Sequence, residues 1–251
     1  SAGAIVFQHF LITRFNYGWL DNVVKSRTGT AVNTSEWLDE RVLLFETFCL
    51  PSVLQQTCQD FTWVMQFDPQ TPVEIIKRCA VGSNVEIIQE PIVDYFTRAK
   101  LAEPFLMTSR LDNDDALHEG YIEAVQSCFT ERTQLLDTRG IQFDRIRHRY
   151  HTDGRRKPNS PFLTLIEKLN GMPKTVHYAD HAKMRRHFPA RRLKQRLWCQ
   201  VVHETNLLNR IRGRRLWWPD LSGFPEALQP VGNSVLTGLM KTRKQPVERA
   251  A

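Results

Sequence analysis

Strand-like and helix-like segments alternate along the first half of this chain of 251 residues. Apolar runs of strand length, rich in β-branched and aromatic residues, occupy residues 5–13, 61–67, 85–89 and a segment that begins at Phe105. Between them, residues 36–48 and 73–79 carry apolar residues at helical spacing. Such alternation is typical of a parallel sheet covered by helices, so the sequence predicts an α/β fold.

The ends of the helices are predicted from capping and helix-breaking residues. Ser35 can cap the helix of residues 36–48, and Pro51 is expected to break or kink that helix. Residues 98–101 and 116–131 are two further candidate helices. The first half therefore has enough helices to cover both faces of its sheet.

The second half of the chain is less regular. Residues 141–150 and 161–166 are expected to pair as two strands across the polar turn of residues 153–158. Residues 176–178 are a short strand candidate, and residues 193–208 are expected to form a helix.

Three carboxylates follow the strand that begins at Phe105, as Asp112, Asp114 and Asp115. Alternating side chains would place Asp112 and Asp114 on one side and Asp115 on the other. Two carboxylates on one side suit a hard divalent cation such as Mg²⁺ or Mn²⁺, which usually bridges substrate phosphates. The alternative is an acidic turn with Asn113 as its turn residue. The motif alone leaves both interpretations open.

Polar residues stand at the ends of three predicted strands. Arg14, Asp68 and Asp112 all fall at predicted carboxyl ends. Ligands of parallel sheets bind beyond the carboxyl ends of the strands. This convergence favours a metal and diphosphate site over a simple acidic turn.

Charge is divided unevenly along the chain, whose net charge is +7. Residues 1–125 hold 9 basic and 17 acidic residues, whereas residues 126–251 hold 25 and 10. A basic second half indicates anionic partners, which could be nucleic acid, a membrane surface, an acidic glycan or substrate phosphates.

The most basic segment, residues 183–196, has three interpretations. It can be a solvated helix face, a surface for an acidic or lipid-linked glycan at the inner membrane leaflet, or a nucleic-acid site. Nucleic acid is disfavoured, because neither interleaved aromatic and basic residues nor a helix-turn-helix pattern is present. We expect an anionic acceptor or a peripheral contact with an anionic membrane.

The cysteines and the apolar segments bear on the compartment. The five cysteines are odd in number and show no C-x-x-C spacing, which favours buried thiols in a reducing compartment over disulfides or a zinc site. No apolar run approaches the roughly 18–20 residues that span a bilayer, and no signal peptide is visible. The expected location is the cytoplasm, with the inner membrane leaflet as a possible peripheral site.

Several motifs together resemble a known family. The segment of residues 50–57 and the strand that ends at Asp68 are similar to the opening of GT-A-fold glycosyltransferases, and residues 110–115 resemble their D-x-D-D signature. The bacterial putative rhamnosyltransferase family is the closest resemblance. Its pattern appears here in residues 11–16, 44–52, 111–115 and 198–203. The resemblance covers roughly residues 4–215.

The resemblance implies a Rossmann-like nucleotide-binding half, a divalent cation and a nucleotide-sugar donor. By position, Asp112 and Asp114 would hold the metal and the donor diphosphate or ribose, and Asp68 would face the donor base. His203 stands where such enzymes often supply a third metal ligand, with a core or capping histidine as the alternative. The family name suggests deoxythymidine-diphosphate-rhamnose as the donor.

The catalytic base does not follow from the resemblance. The xED motif of inverting GT-A enzymes is not clearly present, and Asp180 and Glu204 are the candidate bases. An inverting and a retaining outcome therefore both stay open. Arg14, Arg98 and Arg110 are candidates to clamp the phosphates through bidentate contacts, with a solvated surface charge as the alternative.

The sequence thus predicts a metal-dependent glycosyltransferase with a GT-A-like mixed sheet, acting on a glycan or lipid-linked acceptor. The alternatives are a non-catalytic polyanion-binding module and a metal-dependent nucleotidyltransferase. We expect a donor-binding half at residues 4–137 and an acceptor-binding half at residues 138–232. Residues 233–251 are expected to form a weakly ordered tail, and residues 22–35 a loop.

Overall fold

The structure is a computed structural model that describes residues 7–18, 34–154, 159–204, 206 and 209–229. Most of the loop predicted at residues 22–35 and the tail predicted at residues 233–251 lie outside these ranges. In the described part of the chain, ten strands form a single mixed sheet.

Strands and helices alternate through the first half, and strands dominate the second. The strands are β1 Phe7–Arg14, β2 Thr62–Gln66, β3 Val85–Ile88, β4 Phe105–Arg110, β5 Ala116–Leu117, β6 Gln134–Asp144, β7 Arg149–Thr152, β8 Thr164–Lys168, β9 Ala190–Val202 and β10 Arg215–Leu216. The α-helices are α1 Ser35–Leu44, α2 Leu50–Leu54, α3 Val73–Cys79, α4 Ile92–Arg98 and α5 Tyr121–Gln126. A π-helical segment and two 3₁₀ turns complete the elements, at Phe45–Cys49, Met184–Arg186 and Glu226–Leu228.

The sheet joins a parallel part to a largely antiparallel part. Strands β3, β2, β1 and β4 lie side by side in that order and are parallel to one another. Strand β8 then pairs antiparallel with both β4 and β6. Strand β9 runs parallel to β6, with a β-bulge between them, and β7 and β10 follow on the other edge of β6. The predicted α/β fold with a mixed sheet is confirmed.

Both faces of the parallel part are buried, which explains its continuous apolar strands. On β1, Leu11 packs into a core cluster with Phe45 and Trp63, whereas Ile12 faces a second cluster that includes Phe96 of α4. The five cysteines are free thiols, three of them buried and two half-buried.

The boundary predicted between residues 137 and 138 falls inside strand β6. Both predicted halves therefore contribute to the same sheet.

The first helix differs in detail from its prediction. Thr34, not Ser35, is its N-cap, because the Thr34 hydroxyl accepts a hydrogen bond of 3.3 Å from the backbone N–H of Trp37. The chain also continues as helix past Pro51. Between α1 and α2, the backbone hydrogen bonds change to the π-helical pattern over Phe45–Cys49. Pro51 lies in the first turn of α2, where its missing N–H costs little.

Two helix predictions near β4 are wrong. Of residues 98–101 only Arg98 is helical, because α4 ends there. The helix predicted at residues 116–131 is reduced to Tyr121–Gln126. Residues Ala116–Leu117 instead form β5, which pairs with β9, so a contact between distant parts of the chain overrides the local helix preference.

Three predictions for the second half are also wrong. Residues 193–202 of the predicted helix 193–208 belong instead to β9, and residues 205, 207 and 208 lie outside the described ranges. Residues 176–178 lie in a turn and not in a strand. The predicted pairing of residues 141–150 with 161–166 is replaced by a β6–β7 hairpin, while β8 pairs with β4 and the start of β6.

His9 lies on β1 and is buried against β4 and α5. Its Nε2 lies 2.8 Å from the Ser109 hydroxyl, and the side-chain amide of Gln126 donates a hydrogen bond of 3.2 Å to its Nδ1. Burial lowers the pKa of His9 from 6.5 to about 3. The folded protein therefore holds this imidazole in its neutral form.

The free energy of unfolding should consequently fall as the pH drops from 6.5 towards 3. In that interval the unfolded chain binds a proton at His9 that the folded chain does not bind. We expect His9→Gln to reduce the slope of unfolding free energy against pH by up to about 1.4 kcal/mol per pH unit. Urea titrations across this range measure the slope. Equal slopes in wild type and variant would contradict the assignment of this pH dependence to His9. Above about pH 7.5 the two slopes should be equal.

Gly140 lies at the β-bulge between β6 and β9, directly against an indole ring. A Cβ atom at this position would lie 2.1 Å from Cδ2 of Trp198. Trp198 stacks on Phe162 with ring centroids 4.5 Å apart and donates a hydrogen bond of 3.0 Å to the Thr138 carbonyl, so it has little freedom to move. We expect Gly140→Ala to lower the free energy of unfolding by about 1–3 kcal/mol, measured by urea denaturation.

Gly120→Ala is the matched control for this overpacking. Its Cβ atom would meet the nearest side-chain atom, Nδ1 of His118, at 3.4 Å, which is an ordinary contact. The control should therefore unfold close to the wild-type midpoint. A Gly140→Ala protein as stable as the Gly120→Ala protein would show that Trp198 can be displaced without cost.

Candidate functional site

A cavity of about 350 Å³ opens beside the carboxyl ends of β1 and β4. The two strands are parallel neighbours, with Ile12 opposite Arg110, so Arg14 and Arg110 reach the same edge of the sheet. Both arginines line the cavity, together with Asp112 and Asp114 from the loop after β4. The predicted convergence of Arg14 and Asp112 is therefore present in the structure.

Asp112 and Arg110 form an ion pair at the wall of this cavity. The Arg110 Nη2 and Nε atoms donate hydrogen bonds of 3.0 and 3.2 Å to Asp112 Oδ1. The Asp112 side chain remains 29% exposed, so it is open to a ligand. Burial, followed by the nearby charge of Arg110, lowers the pKa of Arg14. The edge thus concentrates positive charge around one accessible carboxylate.

Asp114 lies deeper and is held by three side chains. Its Oδ2 atom forms a buried salt bridge with Arg41 of α1, lies 2.9 Å from Nε2 of His203 and accepts a hydrogen bond of 3.1 Å from Asn206. The side-chain oxygen Oδ1 of Asn206 in turn accepts a hydrogen bond of 2.6 Å from the backbone N–H of His203. This network connects α1, the loop after β4 and the loop after β9.

Electrostatics keep the network in a defined protonation state. Burial alone would raise the pKa of Asp114, but the Arg41 charge and the His203 hydrogen bond outweigh it and hold that pKa well below its usual range. Burial lowers the pKa of His203, against the opposing effect of Asp114. At neutral pH we therefore expect an ionised Asp114 beside a neutral His203.

Asp115 does not line the cavity, and its backbone N–H donates a hydrogen bond of 3.3 Å to the Asp112 carbonyl, so Asn113 and Asp114 lie in a turn and not in a strand. The Asp115 Oδ1 atom accepts a hydrogen bond of 2.7 Å from the backbone N–H of Val201 on β9. Burial and then the charges of Asp114 and Asp112 raise the pKa of Asp115. Asn113 binds the Phe15 carbonyl at 2.9 Å, so the acidic loop is anchored to the segment after β1.

These residues fit a divalent cation in part. Mg²⁺ at a phosphate site usually takes one or two carboxylates, with waters and substrate phosphates as its other ligands. Asp112 meets that requirement, whereas Asp114 and His203 are engaged with each other, with Arg41 and with Asn206. Within the described ranges, no group of three or more His, Cys, Asp or Glu side chains is placed to hold an ion.

Two predicted donor-binding residues lie away from the cavity. Asp68 is buried after β2, where its carboxylate accepts a hydrogen bond of 3.0 Å from the backbone N–H of Gln70. Arg98 ends α4, pairs with Glu90 and is 68% exposed. Neither side chain lines the cavity, so the geometry adds no support to their predicted roles.

The two candidate bases are also outside the cavity wall. Asp180 accepts a hydrogen bond of 2.8 Å from the backbone N–H of Ala182, and Glu204 pairs with Arg145 at 3.2 Å. His181, next to Asp180, does line the cavity and lies 3.5 Å from Nη1 of Arg110. The identity of the base remains a prediction.

A second cavity, of about 550 Å³, lies on the other side of Arg14. Its wall combines apolar residues after β3 with the segment that precedes the 3₁₀ turn of residues 184–186, and includes Ile92, Tyr178 and His177. Among the described residues, none forms a hydrogen bond with the buried Nε2 atom of His177. Burial, followed by the charges of Arg110 and Arg14, lowers the pKa of His177. A neutral imidazole therefore lies close to both arginines.

Sequence reasoning missed several residues that the fold brings to these cavities. Arg41, Asn206, Arg210 and Arg212 line the first cavity, and His177 lines the second. For Arg41 a signal existed, because it occupies the apolar face of its helix, where a charged residue needs a buried partner. The others depend on turns that have no periodic pattern.

The basic segment of residues 183–196 is not one surface. Arg185, Arg186 and Arg191 are exposed, but Arg192 pairs with Asp137 and Asp153 inside the protein, at 3.4 and 3.0 Å. The segment runs through a 3₁₀ turn and β9, and only its exposed side chains can meet a partner. No helix in the described part of the chain has the length and apolar character to cross a bilayer.

Comparison with protein families gives a direct match. Residues 8–215 match the model of a family described as putative rhamnosyl transferases. The chain belongs to this family, which confirms the family that the sequence motifs predicted. A search of curated proteins found no significant match.

Solved structures show more distant similarity. S. aureus TarS 1–349 is 12% identical, with a TM-score of 0.46, and the match covers 77% of this chain and 60% of that one. A longer S. aureus TarS structure is 11% identical, with a TM-score of 0.43 and coverage of 79% and 37%. A 4-diphosphocytidyl-2C-methyl-D-erythritol synthase from Anaerococcus prevotii is 8% identical, with a TM-score of 0.37 and coverage of 93% and 96%. This chain thus spans less than two thirds of either TarS structure.

Proposed function

We propose that the protein transfers a sugar from a nucleotide-diphosphate donor to a glycan or lipid-linked acceptor, with a divalent cation. The observation that carries the proposal is the grouping of Arg14, Arg110 and Asp112 at one edge of the sheet, in a chain of the putative rhamnosyl transferase family. Two guanidinium groups beside an accessible carboxylate suit a diphosphate and its counter-ion.

The donor would extend across both cavities, with Arg14 between them. The second cavity has a mostly apolar wall that suits a nucleoside, and the first is lined mainly by polar and charged residues, which suit a sugar. Arg14 lines both, so it can bind the diphosphate that connects the two parts of the donor. In this placement Arg110 orients the phosphates beside Asp112.

Asp112 is the residue that would hold Mg²⁺ or Mn²⁺. The cation would supply Lewis-acid stabilisation of the negative charge that develops on the leaving diphosphate. Arg14 and Arg110 would place fixed positive charge beside the same phosphates. These two side chains need no rearrangement during the reaction. Asp114 and His203, predicted as further ligands, are better placed to position the loop that carries Asp112.

The finer identity of the substrates is also part of the proposal. The family description favours a rhamnosyl donor, with deoxythymidine-diphosphate-rhamnose as the first candidate. A contact with an anionic leaflet would use exposed residues of the basic segment such as Arg185, Arg186 and Arg191. Arg192 is excluded from that surface by its internal ion pairs.

A donor screen tests the proposal. Nucleotide sugars, with and without Mg²⁺ or Mn²⁺, are added to the full chain, and the melting temperature and the release of free sugar are recorded. A bound donor should raise stability by about 2.7 kcal/mol at a concentration 100-fold above its dissociation constant. If no donor stabilises the protein and no donor releases its sugar, glycosyl transfer is refuted. Consumption of a nucleoside triphosphate would instead identify a nucleotidyltransferase.

A further inference from the structure

The first cavity carries more positive charge than a donor requires. Five arginines and only two aspartates line it, which leaves three positive charges in excess before His181 is considered. The diphosphate of a nucleotide sugar offsets part of this excess, and a divalent cation at Asp112 would restore it. The cavity is therefore suited to a second anion in addition to the donor.

Arg210 and Arg212 are the source of the unused charge. Arg41 and Arg110 are engaged by the two aspartates of the cavity, and Arg14 is assigned to the diphosphate. In the part of the chain that the structure describes, no carboxylate forms a salt bridge with Arg210 or Arg212. Both side chains line the cavity and are exposed at its mouth.

Two buried glutamines hold the backbone of these arginines in place. The Gln142 side chain donates a hydrogen bond of 3.0 Å to the Arg210 carbonyl and accepts one of 2.8 Å from the Arg212 N–H. Gln142 also donates to Gln200 at 2.8 Å, and Gln200 donates to the Asn209 side chain at 3.1 Å. The segment of residues 209–212 is thus fixed to β6 and β9, so the backbone that carries both arginines is held in place beside the cavity.

We propose that Arg210 and Arg212 bind an oxyanion of the acceptor, which makes the acceptor an anionic glycan with a phosphate or carboxylate near the hydroxyl that receives the sugar. This inference rests on the proposed glycosyl transfer. Guanidinium groups stay charged at every physiological pH and bind such oxyanions with two parallel hydrogen bonds. The site is separate from the basic segment of residues 183–196, none of which lines the cavity.

Binding of simple charged sugars tests the site. Glucose 6-phosphate, glucuronate and glucose are titrated into the full chain by calorimetry, with and without saturating deoxythymidine diphosphate and Mg²⁺. Wild type should bind at least one charged sugar about tenfold or more tightly than glucose, and the tighter of the two distinguishes phosphate from carboxylate. The double variant Arg210→Gln, Arg212→Gln should lose at least about tenfold of that affinity, since a hydrogen bond to a charged group contributes about 1.5–3 kcal/mol.

The double variant Arg132→Gln, Arg214→Gln is the matched control. It removes the same charge from two exposed positions outside the cavity, one of them two residues beyond Arg212. The control should keep the wild-type affinity within about twofold, because exposed charges at a distance are screened by salt. Equal affinity of all three proteins for the charged sugars, or equal loss in both variants, would overturn the site. Absence of nucleotide-sugar turnover in wild type would refute the proposed function, while the sugar titration would still decide the anion site.

Discussion

Replacement of Asp114 by asparagine should lower the free energy of unfolding by about 3–5 kcal/mol. The Asp114 carboxylate forms a salt bridge with Arg41, whose side chain is only 3% exposed. Asparagine keeps the size of the side chain and its capacity to accept hydrogen bonds. However, it removes the negative charge that compensates the buried guanidinium, and an uncompensated buried charge is strongly destabilising. Urea denaturation at neutral pH measures the loss.

A double-mutant cycle separates this charge effect from packing. Arg41→Met in the Asp114→Asn background removes both charges, so part of the lost stability should return. Asp112→Asn is the surface control, because its partly exposed ion pair with Arg110 should contribute less than about 1 kcal/mol. A loss below about 1 kcal/mol in Asp114→Asn would show that Asp114 is not committed to Arg41 and could serve the predicted metal site.

The parallel part of the sheet could be predicted because local pattern and tertiary environment agree there. Strands β1 to β4 are short apolar runs bounded by polar or proline residues, and both of their faces are covered. Strand β9 shows the opposite case. Its last six residues, 197–202, are all buried, so their apolar run has no period that separates a strand from a helix. The distant partners β5 and β6 select the strand.

The site was predictable only where a side chain ends a strand or stands within two residues of its end. Arg14, Arg110 and Asp112 met this condition, because parallel strands end at a common edge. Arg41 lies 73 positions before Asp114 in the chain, and nothing in the local sequence connects them. Arg210 and Arg212 depend on hydrogen bonds to Gln142, about 70 positions away. Such contacts follow from the complete fold and not from spacing.

Replacement of Asp112 by asparagine should reduce donor turnover by about 100- to 1,000-fold, the size typical for loss of one group that stabilises transition-state charge. Asp112 is the accessible carboxylate of the cavity and the one that the surroundings leave open to an ion. Its loss should also abolish the dependence of turnover on Mg²⁺ or Mn²⁺. Steady-state rates of sugar release at several cation concentrations measure both effects.

Direct titration of Mn²⁺ in the presence of a nucleoside diphosphate gives a second readout that does not require turnover. Asp112→Asn should weaken Mn²⁺ binding, whereas Asp94→Asn, on the exposed side of α4, should match wild type. Asp112→Asn should also unfold near the wild-type midpoint, unlike Asp114→Asn, since its partner Arg110 remains partly exposed to solvent. The two aspartates of one motif would then act differently, Asp112 on the ion and Asp114 on the loop that presents it. Unchanged Mn²⁺ affinity in Asp112→Asn would contradict this division and remove the proposed cation from this carboxylate.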